Sequence, residues 1–469
     1  MSSAAEFPPR SRPPDLPRVL GASHATAIVV GTLIGSGIFL VPYEMMRATG
    51  SSGLVYLAWI GGGLLSLFGA MTYAELSAIM PYTGGEYIYL RGAYGDLTAF
   101  LYMWTWFAVA KPASIASVTM GLARTLAIFR SLAWLEQPAF HAPFSGSFSV
   151  SWGQLFAIGV AWLITGLNYL GIKKAGDFQL IFTVLKGILI LVIAGFCFTA
   201  AGHWSNFRTV YPHAQGGFSG FMVALIAALW AYDGWNDLTM VSGEVRNPRR
   251  SLPIALIAGL GIVGVLYMAT NAAIQYILPA AQIATSPRPA VAALEAVTGP
   301  WGAALVSGVM ALSIFVTLNG TVMSGARVPF AAARDGLFFR RMGMIHPRFQ
   351  SPSTSLVVQA LLTTGLLLAV GRFQQLFDLA IFSEWLFYLI TSTTIFYYRR
   401  RETSNKTYRV WGYPVVPVLF AAAAAVVLYF SYIENLKNSI LGSLVILAGV
   451  PLYFVFRPQP HPPVALNQP

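Results

Sequence analysis

The first long apolar stretch of the chain, residues 22–48, contains the segment Gly31-Thr-Leu-Ile-Gly-Ser-Gly-Ile-Phe39. A membrane-spanning helix needs about 20 apolar residues, and this stretch can supply them. Glycine costs about 1 kcal/mol relative to alanine inside a helix, and free backbone groups are tolerated at membrane depth only inside protein or along a cavity. We therefore expect the helix to open at Gly35, Ser36 and Gly37. The opening would direct free N–H groups, backed by the positive end of the next half-helix, at a carboxylate.

The composition is that of a multi-pass membrane protein. Hydrophobic residues make up 56% of the 469 residues and charged residues only 10%, whereas soluble domains carry about 25% charged residues. The net charge of +12 does not indicate nucleic-acid binding, because the basic residues lie mostly in short loops between apolar stretches. The single cysteine, Cys197, argues against an internal disulfide framework and against a cysteine-based metal cluster.

Twelve apolar stretches are long enough to cross a membrane, so the sequence predicts an all-α membrane protein with twelve transmembrane helices. Lys and Arg are concentrated in the loops on the same side as the N-terminus, which predicts that both termini are cytoplasmic. The approximate limits of the stretches are 22–48, 53–80, 96–129, 152–170, 177–200, 218–244, 252–278, 300–333, 354–370, 375–397, 412–431 and 438–456.

The sixth stretch contains a second interruption, Trp230-Ala-Tyr-Asp-Gly-Trp-Asn236, with Asp233 and Gly234 at mid-span. It comes five spans after the first, and because five is odd the two halves of the chain must have opposite orientations. Interrupted helices at matching positions of inverted halves point to the central site of a transporter. A single Gly-Ser-Gly segment is also compatible with close helix packing, but the paired interruptions favour a binding site.

These motifs resemble those of the amino acid–polyamine–organocation superfamily and, within it, the L-type amino acid transporters. The matching segments follow the family order from the first helix to the end of the eighth. They are residues 31–39, Lys111-Pro112, 177–186, 231–236, 244–253, Leu318-Asn-Gly-Thr321 and 333–336.

The resemblance implies a leucine-transporter-like fold, with a five-plus-five inverted repeat, broken first and sixth helices, two further helices and alternating access. The implied divisions of the chain are a cytoplasmic N-terminal tail, helices 1–5, helices 6–10, helices 11–12 and a cytoplasmic C-terminal tail. They correspond to residues 1–20, 21–200, 218–397, 410–457 and 458–469.

Some members of the family form a disulfide with a single-span heavy chain through a cysteine between the third and fourth helices. The corresponding loop here, residues 130–151, contains no cysteine. We therefore expect a stand-alone, prokaryotic-type protein of the cell (inner) membrane without a disulfide-linked heavy chain. The expected partners are the lipid bilayer and a small amino acid substrate, and no cofactor or metal is expected.

The two interruptions together predict a site for a zwitterion. The N–H groups of residues 35–37 would bind its carboxylate, and carbonyl groups near Ile34 would accept hydrogen bonds from its ammonium group. The carbonyl groups of Trp230 and Ala231 would do the same from the sixth helix. By family position, Trp230 also supplies an aromatic gate over the bound substrate.

Lys186 lies in the middle of the fifth apolar stretch, where a buried charge is costly and usually functional. By resemblance, its ammonium group takes the place where sodium-coupled relatives hold an ion between the first and eighth helices. A fixed cation there would remove the requirement for sodium. The alternative is a lysine whose stem reaches water at the membrane surface.

Five further side chains are candidates for the site, and three of them have two possible roles. By family position, Ser117 and Phe382 belong to the side-chain pocket. Asn236 would either bind the substrate or brace the sixth helix. Asp233 and Glu384 would either pair with a cationic substrate or serve the protein itself. In the second case Asp233 caps the broken helix, and both acids find partners among Lys111, Arg124, Arg47 and Arg327.

The function predicted from these features is sodium-independent transport of L-amino acids, as an exchanger of neutral amino acids that works by alternating access. The alternative is a cationic amino acid or polyamine antiporter, which Asp233 and Glu384 favour, although a polyamine has no carboxylate for residues 35–37. A channel would need a repeated filter motif, and the sequence has none. Neither His-Glu-x-x-His nor Gly-x-Ser-x-Gly occurs, so we do not expect an enzyme.

Overall fold

The computed structural model describes residues 16–141, 149–200, 202–369, 373–401, 407–434 and 436–456. The predicted C-terminal tail and most of the predicted N-terminal tail lie outside these residues.

The described chain is mostly helical, as predicted. Its first eight α-helices are α1 (Ala22–Leu33), α2 (Gly37–Thr49), α3 (Ser52–Ile79), α4 (Glu86–Tyr94), α5 (Asp96–Thr105), α6 (Lys111–Leu126), α7 (Trp152–Tyr169) and α8 (Ile172–Thr199). The next seven are α9 (Gly217–Ala231), α10 (Asp237–Met240), α11 (Pro248–Ile277), α12 (Ala280–Thr285), α13 (Pro289–Thr298), α14 (Pro300–Gly325) and α15 (Arg327–Arg334). The last four are α16 (Ser353–Ala369), α17 (Phe373–Arg401), α18 (Val415–Glu434) and α19 (Leu436–Phe456). Two short antiparallel strands, β1 (Pro138–His141) and β2 (Ser149–Ser151), form a hairpin.

Six helices of the described chain are long and apolar enough to cross a membrane, and the bent pair α1–α2 makes a possible seventh. The six are α3, α8, α11, the continuous run α14–α15, α18 and α19. The other predicted spans contain shorter, interrupted or less apolar helices. The structure therefore agrees with a helical membrane protein, while the number of twelve spans stays a prediction.

Several local features differ from the sequence prediction. The third predicted span is divided between α5 and α6 by a π-helical turn at Trp106–Ala110. The short helices α4, α12 and α13 and the β1–β2 hairpin were not predicted. Each of these elements is at most ten residues long, so a search for 20-residue apolar stretches misses them.

The first half-helix, α1, lies at the centre of the fold. It packs against α8, α11 and α14, and eight of its twelve residues are buried. Such an apolar helix, enclosed by others, is positioned by packing on several sides. As a result, the end of α1 at Leu33 is held inside the protein, where its last carbonyl groups need partners other than water.

The segment 244–253, one of the matching motifs, has a structural role. The guanidinium group of Arg327 on α15 donates hydrogen bonds to the Glu244 carboxylate at 2.9 and 3.3 Å. Both side chains are fully buried. The backbone carbonyl of Glu244 also accepts from the N–H groups of Val19 and Leu20, both at 3.0 Å. The ion pair therefore fixes the end of the sixth predicted span against α15, and the Glu244 carbonyl fixes it against the start of the described chain.

Candidate functional site

The first predicted interruption is present between α1 and α2, whose axes differ by 42°. The N–H of Gly35 turns back to the carbonyl of Leu33 at 2.8 Å. The N–H groups of Ser36 and Gly37, at the start of α2, donate to no acceptor within the described parts of the chain. Two of the three predicted N–H groups are therefore available to a ligand, and that of Gly35 is not.

The second predicted interruption separates α9 from α10, which has only four residues. Gly234 has φ of +105°, a conformation that glycine adopts readily and other residues avoid. The carbonyl of Trp230 accepts from the Asp233 N–H at 3.1 Å, and that of Ala231 accepts from the Tyr267 hydroxyl at 2.7 Å. The Trp230 carbonyl also accepts from the Tyr232 N–H. A carbonyl oxygen has two lone pairs, so the Ala231 carbonyl retains one acceptor position.

Two side chains connect the interruptions directly. The hydroxyl oxygen of Tyr267 on α11 lies 2.8 Å from the carbonyl of Leu33 and 2.7 Å from that of Ala231. The Thr32 hydroxyl donates to the carbonyl of Gly234 at 2.9 Å. The ends of α1 and α9 are thus held next to each other. If either half-helix moves, these hydrogen bonds must break or the bonded groups must move with it.

Lys186 on α8 is fully buried at the first interruption. Its ammonium group donates to the carbonyls of Gly31 and Ile34 at 2.8 and 2.7 Å. The Thr317 hydroxyl on α14 lies 3.0 and 3.2 Å from the same two oxygens. The lysine is therefore not a snorkelling residue, and the Ile34 carbonyl predicted to face the substrate has protein partners instead.

A cavity of about 140 Å³ lies between the two interruptions. A single water needs about 10–15 Å³ on this measure, so the cavity is large enough for a small solute. Its lining includes eight of the predicted site residues: Gly35, Ser36, Gly37, Ser117, Trp230, Ala231, Asp233 and Glu384. Lys111, Ser114, Asp237, Thr317 and Thr321 add polar groups to the wall.

Four predicted residues are outside this lining: Ile34, Lys186, Asn236 and Phe382. Asn236 is fully buried, and its amide donates to the Glu86 carboxylate at 2.8 Å. Phe382 packs its ring against Tyr432, with centroids 5.3 Å apart. The position of Asn236 favours the bracing interpretation over a substrate contact, and Phe382 is not part of the cavity lining.

The charged groups of the cavity divide into a compensated pair and two acids. The Lys111 ammonium group and the Asp237 carboxylate are 2.5 Å apart. Asp233 and Glu384 form no ion pair with any residue that the structure describes. Instead, the hydroxyl oxygen of Tyr388 lies 2.7 Å from Oδ1 of Asp233 and 3.2 Å from Oε1 of Glu384.

Three of the four cations that the sequence offers as partners for these acids contact other groups. Lys111 pairs with Asp237, and Arg327 pairs with Glu244. Arg47 on α2 donates to the Tyr43 hydroxyl at 2.6 Å. Each acid therefore has the Tyr388 hydroxyl as a partner, where the sequence prediction offered a lysine or an arginine.

Sequence reasoning missed Tyr267, Thr317, Tyr388 and Glu86 as parts of the site. Tyr388 lies four residues after Glu384 on α17, and that spacing places two side chains on one helix face. Buried Glu86 is an acid in a short helix that was not predicted. Tyr267 and Thr317 give no local signal, because their role depends only on which carbonyl ends they meet. The described residues contain no group of three or more His, Cys, Asp or Glu side chains that could hold a metal ion.

Two half-helices that meet at a small polar cavity inside an apolar helix bundle define the class of membrane transporters for small solutes. The family model for amino acid permeases matches residues 20–456, and the chain belongs to this family. This match confirms the resemblance to the amino acid–polyamine–organocation superfamily and its L-type transporters.

Three relatives illustrate the similarity. The serine/threonine exchanger SteT of Bacillus subtilis is 32% identical over 94% of this chain and 97% of its own length. The human b(0,+)-type amino acid transporter 1 is 29% identical over 94% of this chain and 88% of its own length. The human cystine/glutamate transporter is 28% identical over 96% of this chain and 87% of its own length.

Proposed function

We propose that this amino acid permease is a sodium-independent exchanger of neutral L-amino acids that works by alternating access. The observation that carries the proposal is the pair of free N–H groups of Ser36 and Gly37 at the edge of the cavity. They begin α2, a helix of thirteen residues, and a helix N-terminus stabilises a negative charge through its dipole and its unpaired N–H groups. The carboxylate of an amino acid would occupy this position.

The ammonium group of the substrate would bind on the opposite side of the cavity. The carbonyl of Ala231 retains an acceptor position beside the Tyr267 hydroxyl, and Ala231 and Trp230 both line the cavity. The side chain of the substrate would extend towards Ser114, Ser117 and Thr321. These are small polar residues without charge, which favours a small neutral side chain.

Independence from sodium rests on Lys186. Its ammonium group contacts two carbonyls at the end of α1, and Thr317 brings α14 to the same oxygens. In our proposal the Lys186 cation takes the place of the sodium ion in coupled relatives. It holds the end of the first predicted span, which Thr317 connects to the eighth, without a dissociable ion.

We also propose the full topology that the sequence predicts. Twelve spans would form two inverted halves, residues 21–200 and 218–397, followed by two helices within residues 410–457. Both termini, in tails 1–20 and 458–469, would be cytoplasmic and the protein would lie in the cell (inner) membrane. Support comes from the five-span separation of the two interruptions and from the coverage of 97% of SteT by the alignment.

No disulfide-linked heavy chain is needed in this proposal. Cys197 is a free, buried residue on α8, and the predicted loop between the third and fourth spans has no cysteine. Transport without catalysis agrees with the relatives, which are named as exchangers and transporters.

A cationic amino acid is the second candidate substrate. Asp233 and Glu384 line the cavity and have no cationic partner among the described residues, so a guanidinium or ammonium side chain would supply the missing positive charge. A polyamine fits less well, because it has no carboxylate for the N–H groups of Ser36 and Gly37.

The proposal is tested by competition in proteoliposomes that exchange labelled serine. Serine, alanine, leucine, arginine and putrescine are compared with serinamide, which keeps the ammonium group but lacks the carboxylate. We expect serine and alanine to compete and serinamide and putrescine to fail. Competition by serinamide equal to that by serine would refute the carboxylate site, and stronger competition by arginine than by any neutral amino acid would favour the second candidate.

A further inference from the structure

We propose that Asp233, Tyr388 and Glu384 hold one exchangeable proton at the cavity wall, which stays while the substrate is neutral and leaves when the substrate has a cationic side chain. The inference deepens the proposed function and rests on it, because it assigns a proton site to the same cavity. These three residues form the acid–tyrosine triad.

The hydrogen-bond geometry has room for one more hydrogen than the tyrosine supplies. The Tyr388 hydroxyl has one hydrogen, yet its oxygen lies within 2.7 Å of Oδ1 of Asp233 and 3.2 Å of Oε1 of Glu384. A carboxylate only accepts hydrogen bonds, whereas a protonated carboxyl group also donates one. With a proton on Glu384, that group donates to the tyrosine oxygen, and the tyrosine donates its own hydrogen to Asp233. Both contacts are then satisfied by a single added proton.

The electrostatic surroundings favour the same state. The titratable and charged groups that face the triad are Lys111 on α6, Asp237 on α10, Glu86 on α4, Tyr73 on α3 and Tyr102 on α5. The only cation among these, Lys111, is paired with Asp237 at 2.5 Å. Glu86 adds a third buried acid, and Asn236 lies between it and Glu384, with contacts of 2.8 and 3.5 Å. Two bare carboxylates next to each other at this depth would be costly, and one proton removes half of that charge.

The triad is also accessible to the substrate. Asp233 and Glu384 both line the cavity, and Asp233 lies in the interruption that holds the ends of α9 and α10. A cationic side chain in the cavity would bring the compensating charge itself, so the proton would leave to the solution on that side. A neutral side chain brings no charge, and the proton would remain with the protein during the transport step.

This scheme fixes the balance of charge. When an external arginine exchanges for an internal serine, one guanidinium charge enters and one proton leaves, so no net charge moves. When serine exchanges for serine, no proton moves. Exchange between a cationic and a neutral amino acid would therefore change the internal pH without generating a membrane potential.

The test uses the purified full-length protein in liposomes loaded with serine and an entrapped pH-sensitive dye, at low buffer capacity. Addition of labelled arginine outside should raise the internal pH by one proton per arginine taken up, and a potassium diffusion potential should not change the rate. Serine added outside should leave the internal pH unchanged.

Glu384→Gln and Tyr388→Phe should each uncouple arginine uptake from proton release, so that their remaining arginine uptake becomes dependent on the membrane potential. Glu295→Gln, at an exposed acid on α13, is the matched control and should behave as the wild type.

Each other outcome is decisive. Arginine uptake that follows the membrane potential and leaves the dye unchanged in the wild type would overturn the proton site. A protein that exchanges serine but does not take up arginine would also overturn it, while the proposed exchange of neutral amino acids would stand. Failure of serine exchange itself would refute the proposed function, and the proton site with it.

Discussion

Replacing Lys186 by alanine should slow exchange by about 100-fold while leaving substrate binding much less affected. The change removes two hydrogen bonds from an ammonium group to the carbonyls of Gly31 and Ile34, at 2.8 and 2.7 Å. Hydrogen bonds to charged groups contribute about 1.5–3 kcal/mol each, so the loss lies between about 3 and 6 kcal/mol. The Thr317 hydroxyl lies within reach of both oxygens and can still donate to one of them, which places the expected loss at about 3 kcal/mol, or about 100-fold.

The effect should fall on transport because Lys186 does not line the cavity but stabilises the end of α1, which has to move. The assay compares the rate of serine exchange with the stabilisation that serine gives against thermal unfolding in detergent. Lys174→Ala, at an exposed lysine on the same helix, is the control and should retain the wild-type rate. A Lys186→Ala protein that inserts correctly and exchanges serine at the wild-type rate would refute this role and leave only a packing function for the lysine.

Three further changes test other parts of the site. Gly37→Val should abolish exchange, because even a Cβ there would lie 3.3 Å from the Cβ of Ala231. The control Gly308→Val, where a Cβ meets nothing within 4 Å, should retain exchange. Normal serine affinity in Gly37→Val would contradict the carboxylate site. Asp233→Asn should lower serine exchange only moderately, because asparagine still accepts from Tyr388. Complete loss of serine exchange in a correctly inserted Asp233→Asn protein would contradict this expectation. Tyr267→Phe removes the hydroxyl that the two interruptions share, and the loss of about 1 kcal/mol should lower the maximal exchange rate about fivefold. The half-saturating serine concentration should change little. An unchanged maximal rate would show that the contact is dispensable.

Features that depend on local backbone chemistry could be predicted from the sequence. Glycine and serine in an apolar stretch identified the break at residues 35–37, and Asp233-Gly234 identified the second break, where Gly234 needs its positive φ. Lys186 was recognisable because a charge in an apolar helix needs a partner. The two breaks and the need of Lys186 for a partner follow from residue type, because the cost of a free backbone group or a buried charge arises wherever the residue packs.

Features that depend on contacts between distant segments could not be predicted. The Ile34 carbonyl was expected to face the substrate, but Lys186 reaches it from 152 positions away in the chain. The sequence allows two roles for Asn236, and its amide donates to Glu86, which lies 150 positions away in the chain. The Gly35 N–H turns back to Leu33, a detail set by the local geometry of the bend. In each case the sequence indicated the residue, whereas its hydrogen-bond partner is known only from the fold.

The most direct test of the central claim is counterflow of serine in proteoliposomes with and without sodium. Vesicles are loaded with unlabelled serine or with buffer alone, and the uptake of labelled serine is measured in sodium and in choline media at one ionic strength. The proposed exchanger takes up label rapidly only into the serine-loaded vesicles and at the same rate in both media. Equal uptake into empty vesicles would contradict exchange, and uptake that requires sodium would contradict the role assigned to Lys186.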